Sequence, residues 1–393
     1  MKLAMVMRRS TFGALLLAHT VNHVYLNVMP VLFPSIKDEL VLSYGQIGIL
    51  ATSFTFAMGF GQFFVGFVCT YFSRRIVLIA GLAVSAVMIL LSGLASGFYA
   101  LLLWQLLAGF GASTYHPAGT ATVSGLSGRG SMGRIMGIHD TAGSIGTIVA
   151  PLAAASAIII LGWRSTLVAF AVPGLLIAAL LFLVTRSGLS QIGKADYESS
   201  KSIRKEFLFL LRDSRFMALV VVNSLITFRF RGLMAFLPSY LVKGVAIDLS
   251  LVGLYLSVMF VGFLFGPYCF GYFRDKFGGR PTLLALAILP SVGLCALVIP
   301  TGISMLVIEL ILLGFVVYSS GPVVTAVAAD LGESRATDIV YGFLFATGFS
   351  ISATASIVTG FMIDNWGFAA GFYLLALISV AASPLIVLLP RHC

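Results

Sequence analysis

The chain has 393 residues, 59% of them hydrophobic and only 10% charged, with a mean hydropathy of +1.06, whereas soluble domains run at roughly 45–50% apolar and 25% charged. No water-soluble fold buries that much apolar surface, and at about 20 apolar residues per crossing twelve crossings leave only short loops and no room for a sizeable soluble domain. The net charge of +10 does not indicate nucleic acid, because Lys and Arg sit in short clusters between apolar runs, without an aromatic-interleaved basic surface.

The first bases, Lys2, Arg8 and Arg9, precede an apolar run from Thr11 to Pro34. That run is longer than a signal h-region and lacks a small-residue cleavage site, so it is expected to stay as the first span. Apolar runs between Gly, Pro and charged punctuation then predict spans at 11–34, 45–72, 76–95, 98–125, 132–161, 164–185, 216–241, 250–273, 281–300, 303–329, 338–363 and 367–389. The hydrophilic stretch Arg186–Arg215 mixes both charge signs with Ser and Gly and reads as a cytoplasmic linker between halves at 1–185 and 216–393. With the N-terminus in the cytoplasm, nineteen bases fall on that side. Only Lys37, Arg164 and Lys243 fall on the other, and Arg229 and Arg231 lie within the bilayer. The positive-inside rule therefore predicts that both termini are cytoplasmic. The cysteines Cys69, Cys269, Cys295 and Cys393 lie in or beside apolar runs with no CxxC and no metal-ligand spacing. They read as structural, and neither a metal nor a cofactor is expected.

An offset near 205 residues relates the two halves. Pro34-Ser35 recurs as Pro238-Ser239, Gly48 as Gly253, Gly66 as Gly271, Arg75 as Arg280, Gly109 as Gly314, Pro117 as Pro322 and Gly137 as Gly342. Matched landmarks in one order on corresponding spans predict an all-α integral membrane fold of twelve transmembrane helices. Its two six-helix halves form a pseudo-two-fold repeat, an arrangement used by transporters that rock about a central site.

After the eighth span, the loop Gly271-Tyr-Phe-Arg-Asp275-Lys276-Phe-Gly278-Gly-Arg280 resembles the Gly-x-x-x-Asp-Arg-x-Gly-Arg signature of the major facilitator superfamily, with Gly at 279 and the Arg one position later. Gly66, Arg74 and Arg75 form a degraded copy after the second span, with Thr70 in place of the usual acid. The resemblance implies that these residues form a cytoplasmic gate, and the repeat predicts a latch crossed between halves, with Asp275 near Arg129–Arg134 and Arg74 or Arg75 near Asp330, Glu333 and Asp338. Gly137, Gly143, Gly146 and Ala150-Pro151 resemble the fifth-helix motif of the superfamily's antiporters, small residues that admit close helix approach. Within the superfamily, His19, Asn22 and His23, then Pro30 and Pro34, the run Leu42–Gly48, Gln62 and Tyr115-His116-Pro117 are similar to fosmidomycin-resistance-type exporters, with His23 where those commonly carry Asp.

An ionisable side chain in the bilayer core is costly, so those retained are functional candidates. Here they are His19, His23, His116, His139, Asp140, Arg229, Arg231 and Glu309. His19, Asn22 and His23 share one helical face by their spacing. In the superfamily the first, fourth, seventh and tenth helices line the cavity, which assigns His19, Asn22, His23, His116, Arg229, Arg231 and Glu309 to solute binding. Arg229 and Arg231 lie about 200° apart around a helix, so at most one faces the cavity, and a guanidinium fork suits carboxylate, phosphate or phosphonate. Asp140, assisted by His139, is the expected carrier of a coupling proton.

The expected function is therefore secondary active transport of a small organic, anionic solute by alternating access: proton-coupled export across the cytoplasmic (inner) membrane by a multi-pass monomer. The alternatives are uptake of an organic acid by proton symport and, in other classes, a non-transporting membrane solute sensor or a membrane enzyme. The last finds no HExxH, Gly-x-Ser-x-Gly, paired-carboxylate or Walker pattern in the sequence.

Overall fold

The computed structural model describes residues 2–126, 132–185, 210–300, 302–331 and 337–390, and every regular element among them is a helix. In chain order these are α1 (Lys2–Leu40), α2 (Tyr44–Tyr71), α3 (Arg74–Gly93), α4 (Phe98–Ala112), α5 (Tyr115–Leu126), α6 (Met132–Thr185), α7 (Ser214–Lys243), α8 (Leu249–Phe277), α9 (Gly279–Leu297), α10 (Ile303–Val317), α11 (Ser320–Leu331), α12 (Thr337–Ala353), α13 (Ala355–Val380) and α14 (Ser383–Val387). They fall into two compact units, Met1–Leu42 with Ser53–Tyr197 and Ser43–Thr52 with Glu198–Cys393. Most of the expected linker, residues 186–209, lies outside the described residues.

Among the described residues, nine helical stretches are long and apolar enough to cross a membrane, against twelve spans expected. The difference has a physical origin. Two stretches, Ile135–Thr185 with 51 residues and Ala346–Val387 with 42, are each long enough for two crossings. They turn back at single residues with positive φ, Gly162 (φ 70°, ψ 166°) and Gly367 (φ 80°, ψ 174°), a conformation that glycine adopts without steric cost. The expected boundaries at 161–164 and 363–367 lie at these two glycines. The span expected at 98–125 is missing from the nine because it is divided into α4 and α5 at Ser113-Thr114; the one at 303–329 is divided likewise into α10 and α11 at Tyr318-Ser319 yet remains one apolar stretch, Ile303–Ala328. Proline cannot supply the N–H that would bond the carbonyl four residues back, and for Pro117 and Pro322 those carbonyls belong to Ser113 and Tyr318. The Ser113 and Thr114 hydroxyls also donate to the carbonyls of Phe110 (2.7 Å) and Gly111 (2.9 Å), and Ser319 donates to Phe315, which further loosens the ladder. The span expected at 338–363 is likewise broken at Thr354, whose hydroxyl donates to Ile351 O.

The 205-residue repeat runs through the backbone itself. Val41 and Ala246 are the described non-glycine residues with positive φ (51° and 64°). They stand 205 positions apart, as do Gly162 and Gly367, Ser113 and Tyr318, and Pro117 and Pro322. Packing repeats too. A Cβ on Gly109 would lie 2.3 Å from Phe54 O, and one on Gly314 would lie 1.9 Å from Met259 O, with both members of each pair matching at the same offset. In each half, only a bare backbone lets these helices come so close.

Within the first unit, α6 runs along α1 and α3. In the second, the apolar face of α7 carrying Phe216, Leu219, Val222 and Ile226 packs with Leu283 and Leu286 of α9 and with Val323 and Val327 of α11, all fully or almost fully buried. The segments α1, α5, α6 and α7 carry nearly every ionisable residue that the sequence places in the bilayer.

Candidate solute and proton sites

The polar cluster of the first unit forms where α1 meets α6. A Cβ on Gly146 would stand 2.2 Å from Thr20 O, and the Thr20 hydroxyl donates across to Ala142 O at 2.9 Å. The small residues of the fifth-span motif thus hold α6 against the face of α1 that carries His19 and His23. His19, 3% exposed, places Nδ1 2.8 Å from the carbonyl of His139, so it donates there. Its ring stacks on that of His139 at 4.0 Å between centroids and on Tyr115 at 4.9 Å. His23 Nδ1 lies 3.0 Å from Thr147 Oγ1. His116, in the first turn of α5, turns its ring edge-on to both, with centroids 5.4 and 5.5 Å away. Asn22 donates its amide to Ala112 O at 3.0 Å, tying α1 to the end of α4, while its Oδ1 is buried without a hydrogen-bond partner.

His139 and Asp140 are neighbours with opposite surroundings. The histidine is 1% exposed, whereas the carboxylate is 75% exposed, and His139 Nδ1 lies 3.3 Å from Asp140 Oδ1. The pair thus sets an enclosed imidazole against an exposed carboxylate. On its other side His139 Nε2 lies 3.2 Å from Tyr115 Oη. The Tyr115 phenol proton is committed to Leu15 O at 2.5 Å, so the phenol oxygen accepts from His139 Nε2–H. A neutral imidazole with that tautomer would direct its Nδ1 lone pair at a carboxylate oxygen, so one proton is needed between the two. The sequence alone does not single out Tyr115 and Thr147 as partners of these histidines. For Thr147, four residues after Gly143 on the same face of α6, the spacing was the available signal.

In the second unit the two arginines separate as their spacing requires. Arg229 is 0% exposed. Its Nη1 donates to Leu286 O (3.0 Å) and Ser379 Oγ (2.9 Å) and its Nη2 to Val317 O (3.4 Å), so it joins α7 to α9, α13 and the end of α10. Arg231 is half-buried. Its guanidinium lies 4.9 Å from the ring centroid of Phe349 on α12 and 5.8 Å from that of Phe230, and its Nε is buried without a hydrogen bond. Among the described residues no carboxylate pairs with either arginine. Glu309 is half-buried in the second turn of α10.

At the expected gate, Arg75 Nε donates to Thr185 Oγ1 at 2.8 Å and its Nη2 to Phe182 O at 3.1 Å, fastening α3 to the end of α6, while Arg74 opens α3 behind the Ser73 cap. Gly66 lies within α2 and Gly271 within α8. Gly278 sits between α8 and α9 with φ 91°, the turn that only the glycine of the signature makes easily. Lys276 lies over the rings of Phe277 and Tyr272, and Arg280 occupies the first turn of α9. Arg274, which no sequence motif marks, pairs with Asp275 at 3.0 Å and also with Asp330, so Asp330 is engaged within its own unit. The side chains of Arg129, Arg134, Glu333 and Asp338 lie outside the described residues.

The family profile of the Major Facilitator Superfamily matches residues 15–244 and again residues 219–392. The chain belongs to the Major Facilitator Superfamily. The bacterial homologue of the human lysosomal transporter Spinster, in an inward-facing and occupied conformation, shares the fold of this superfamily member with a TM-score of 0.83 at 17% identity, covering 97% of this chain and 96% of that one. Among curated relatives, the probable L-galactonate transporter of Escherichia coli (strain K12) is 24% identical over 384 residues, 92% of this chain and 84% of the relative. The fosmidomycin resistance protein of the same organism is 24% identical over 359 residues, 90% of this chain and 86% of the relative. A multi-pass membrane protein of a transporter family is thus established, and its relatives' substrates differ.

Proposed function

We propose that this superfamily member moves a small organic anion across the cytoplasmic membrane by alternating access, as a monomer that exports the anion in exchange for protons. The observation that carries the reading is the contrast between the two arginines of α7. Arg229 spends its donors on carbonyls and a hydroxyl of its own unit. Arg231 keeps a charged fork against an aromatic face, with no carboxylate beside it among the described residues. A guanidinium at mid-bilayer depth gains a counter-charge when a carboxylate, phosphonate or phosphate arrives. The proton is assigned to the His139–Asp140 pair, where the geometry calls for one between Nδ1 and Oδ1.

Counterflow in proteoliposomes tests the solute class. Preloaded L-galactonate or a small phosphonate is expected to drive entry of its labelled counterpart, while uncharged sugars of the same size do not. Equal or better counterflow of the uncharged sugars would remove Arg231 from the site. One relative is named as a probable transporter of L-galactonate, a carboxylate; organic-acid uptake by symport is the second reading, since a binding site alone does not set direction.

The orientation is proposed on the charge asymmetry, nineteen of the twenty-two bases outside the bilayer falling on one side. In intact cells an impermeant maleimide is expected to label Lys243→Cys, at the end of α7, and to leave Lys201→Cys untouched until the membrane is opened. Labelling in the opposite sense would invert the topology.

A further inference from the structure

We propose that His19, His23 and His116 of the first unit bind one divalent transition-metal ion of the zinc type through their Nε2 atoms. Each offers a ring nitrogen, and the three ligand atoms lie within 4.8 Å of one another. Tetrahedral nitrogen ligands at 2.0–2.1 Å from zinc stand about 3.4 Å apart, so the rings need to close by up to about 1.4 Å, a rotation about their side-chain bonds.

The outer partners have already chosen the tautomers. His19 donates its Nδ1 proton to the carbonyl of His139 at 2.8 Å, which leaves Nε2 as a lone pair. That atom is buried and has no hydrogen-bond partner. His23 Nδ1 faces Thr147 Oγ1 at 3.0 Å. The threonine hydroxyl also has Gly143 O within reach at 3.3 Å; with its proton given there it accepts from His23, and in that tautomer the His23 Nε2 is again a lone pair. A metal-binding histidine is typically held in this way, its second nitrogen donating to a carbonyl or other oxygen that fixes the ring and raises its basicity.

The backbone leaves room on the same side. A Cβ on Gly143 would meet His19 Nε2 and His23 Nε2 at 3.0 Å each, which places the two nitrogens side by side over a residue without a side chain. His116 comes from the other flank, set by the break that Pro117 imposes between α4 and α5. Rings kept for packing alone would gain nothing from an orphaned buried acceptor, which is costly. The set also selects its ion. Three imidazoles without a carboxylate suit zinc, copper or nickel and disfavour magnesium and calcium. Three protein ligands leave a position for water, the arrangement of an open site.

The superfamily resemblance assigns these histidines to the solute, and no metal is expected from the sequence; His116 is 93 positions beyond His23, and only the fold brings it close. The inference stands apart from anion transport, and its test measures no flux. Full-length protein purified without a polyhistidine tag is titrated with zinc chloride in a calorimeter, and the zinc-loaded sample is examined by X-ray absorption. The expected result is one zinc per chain, with about three imidazole nitrogens at 2.0–2.1 Å. His19→Ala and His116→Ala are expected to lower the affinity at least a hundredfold. Thr147→Val keeps all three ligands and the side-chain volume, and it is expected to lower affinity about 10–100-fold through the outer partner alone, which decides the matter should the histidine variants fail to fold. No zinc uptake by the wild type, an oxygen-dominated absorption spectrum, or unchanged affinity in Thr147→Val would overturn the assignment.

Discussion

Arg231→Lys is expected to bind an anionic solute at least tenfold more weakly than the wild type while unfolding at the same temperature, and Arg229→Lys is expected to show the reverse. The two variants make the same chemical change two residues apart, so the environment alone decides. Arg229 spans three acceptors on three segments, Leu286 O, Ser379 Oγ and Val317 O, and a lysine ammonium cannot reach all of them. Stranding buried acceptors costs about 1–3 kcal/mol each. A loss of that order is a large drop in the thermal midpoint of the purified protein. Arg231 has no such obligations. Lysine there keeps the charge and the contact with Phe349 but loses the planar fork that grips a carboxylate or phosphonate through two parallel bonds. Solute-dependent thermal shifts on the two purified variants read both effects. Normal binding by both, or loss of stability by both, would return the arginines of α7 to a purely structural role.

Asp140→Asn is expected to abolish accumulation driven by a pH gradient and to leave solute exchange near the wild-type rate. An amide fits where the carboxylate stood and can still meet His139 Nδ1, now 3.3 Å away, but it takes up no proton. Exchange of solute for solute needs none, so the two assays separate coupling from binding. The Asp140 side chain is 75% exposed, while its partner His139 is enclosed and anchored by Tyr115. Tyr115→Phe is a useful companion because it removes the oxygen that His139 Nε2 donates to while leaving the acid in place. Continued concentration of solute by Asp140→Asn would move the proton elsewhere, with Glu309 and the histidines of α1 next in line.

Much of the fold was legible because its determinants are local. Gly162 and Gly367 mark returns, and the breaks before Pro117 and Pro322 follow from a missing N–H at a known position, although apolar runs alone read through them as continuous helices. The repeat was legible because Gly and Pro landmarks carry backbone geometry with them. What stayed hidden depends on rotation and on distant partners. The spacing of Arg229 and Arg231 shows that they face apart and cannot say which one meets Leu286 and Ser379. Asn22 shares a face with His19 and His23, yet its amide is taken by a carbonyl on α4. Arg274 has no special place in the repeat and gains its role only where α8 passes Asp330.

The central claim, exchange of an organic anion for protons, is tested most directly by wild-type proteoliposomes loaded with buffer and given labelled L-galactonate or a small phosphonate outside, with and without an imposed pH gradient. Accumulation above the equilibrium level only when the interior is acidic, and its collapse on adding a protonophore, is the predicted result for exchange. Accumulation that ignores the gradient, or that needs an acidic exterior instead, would contradict it.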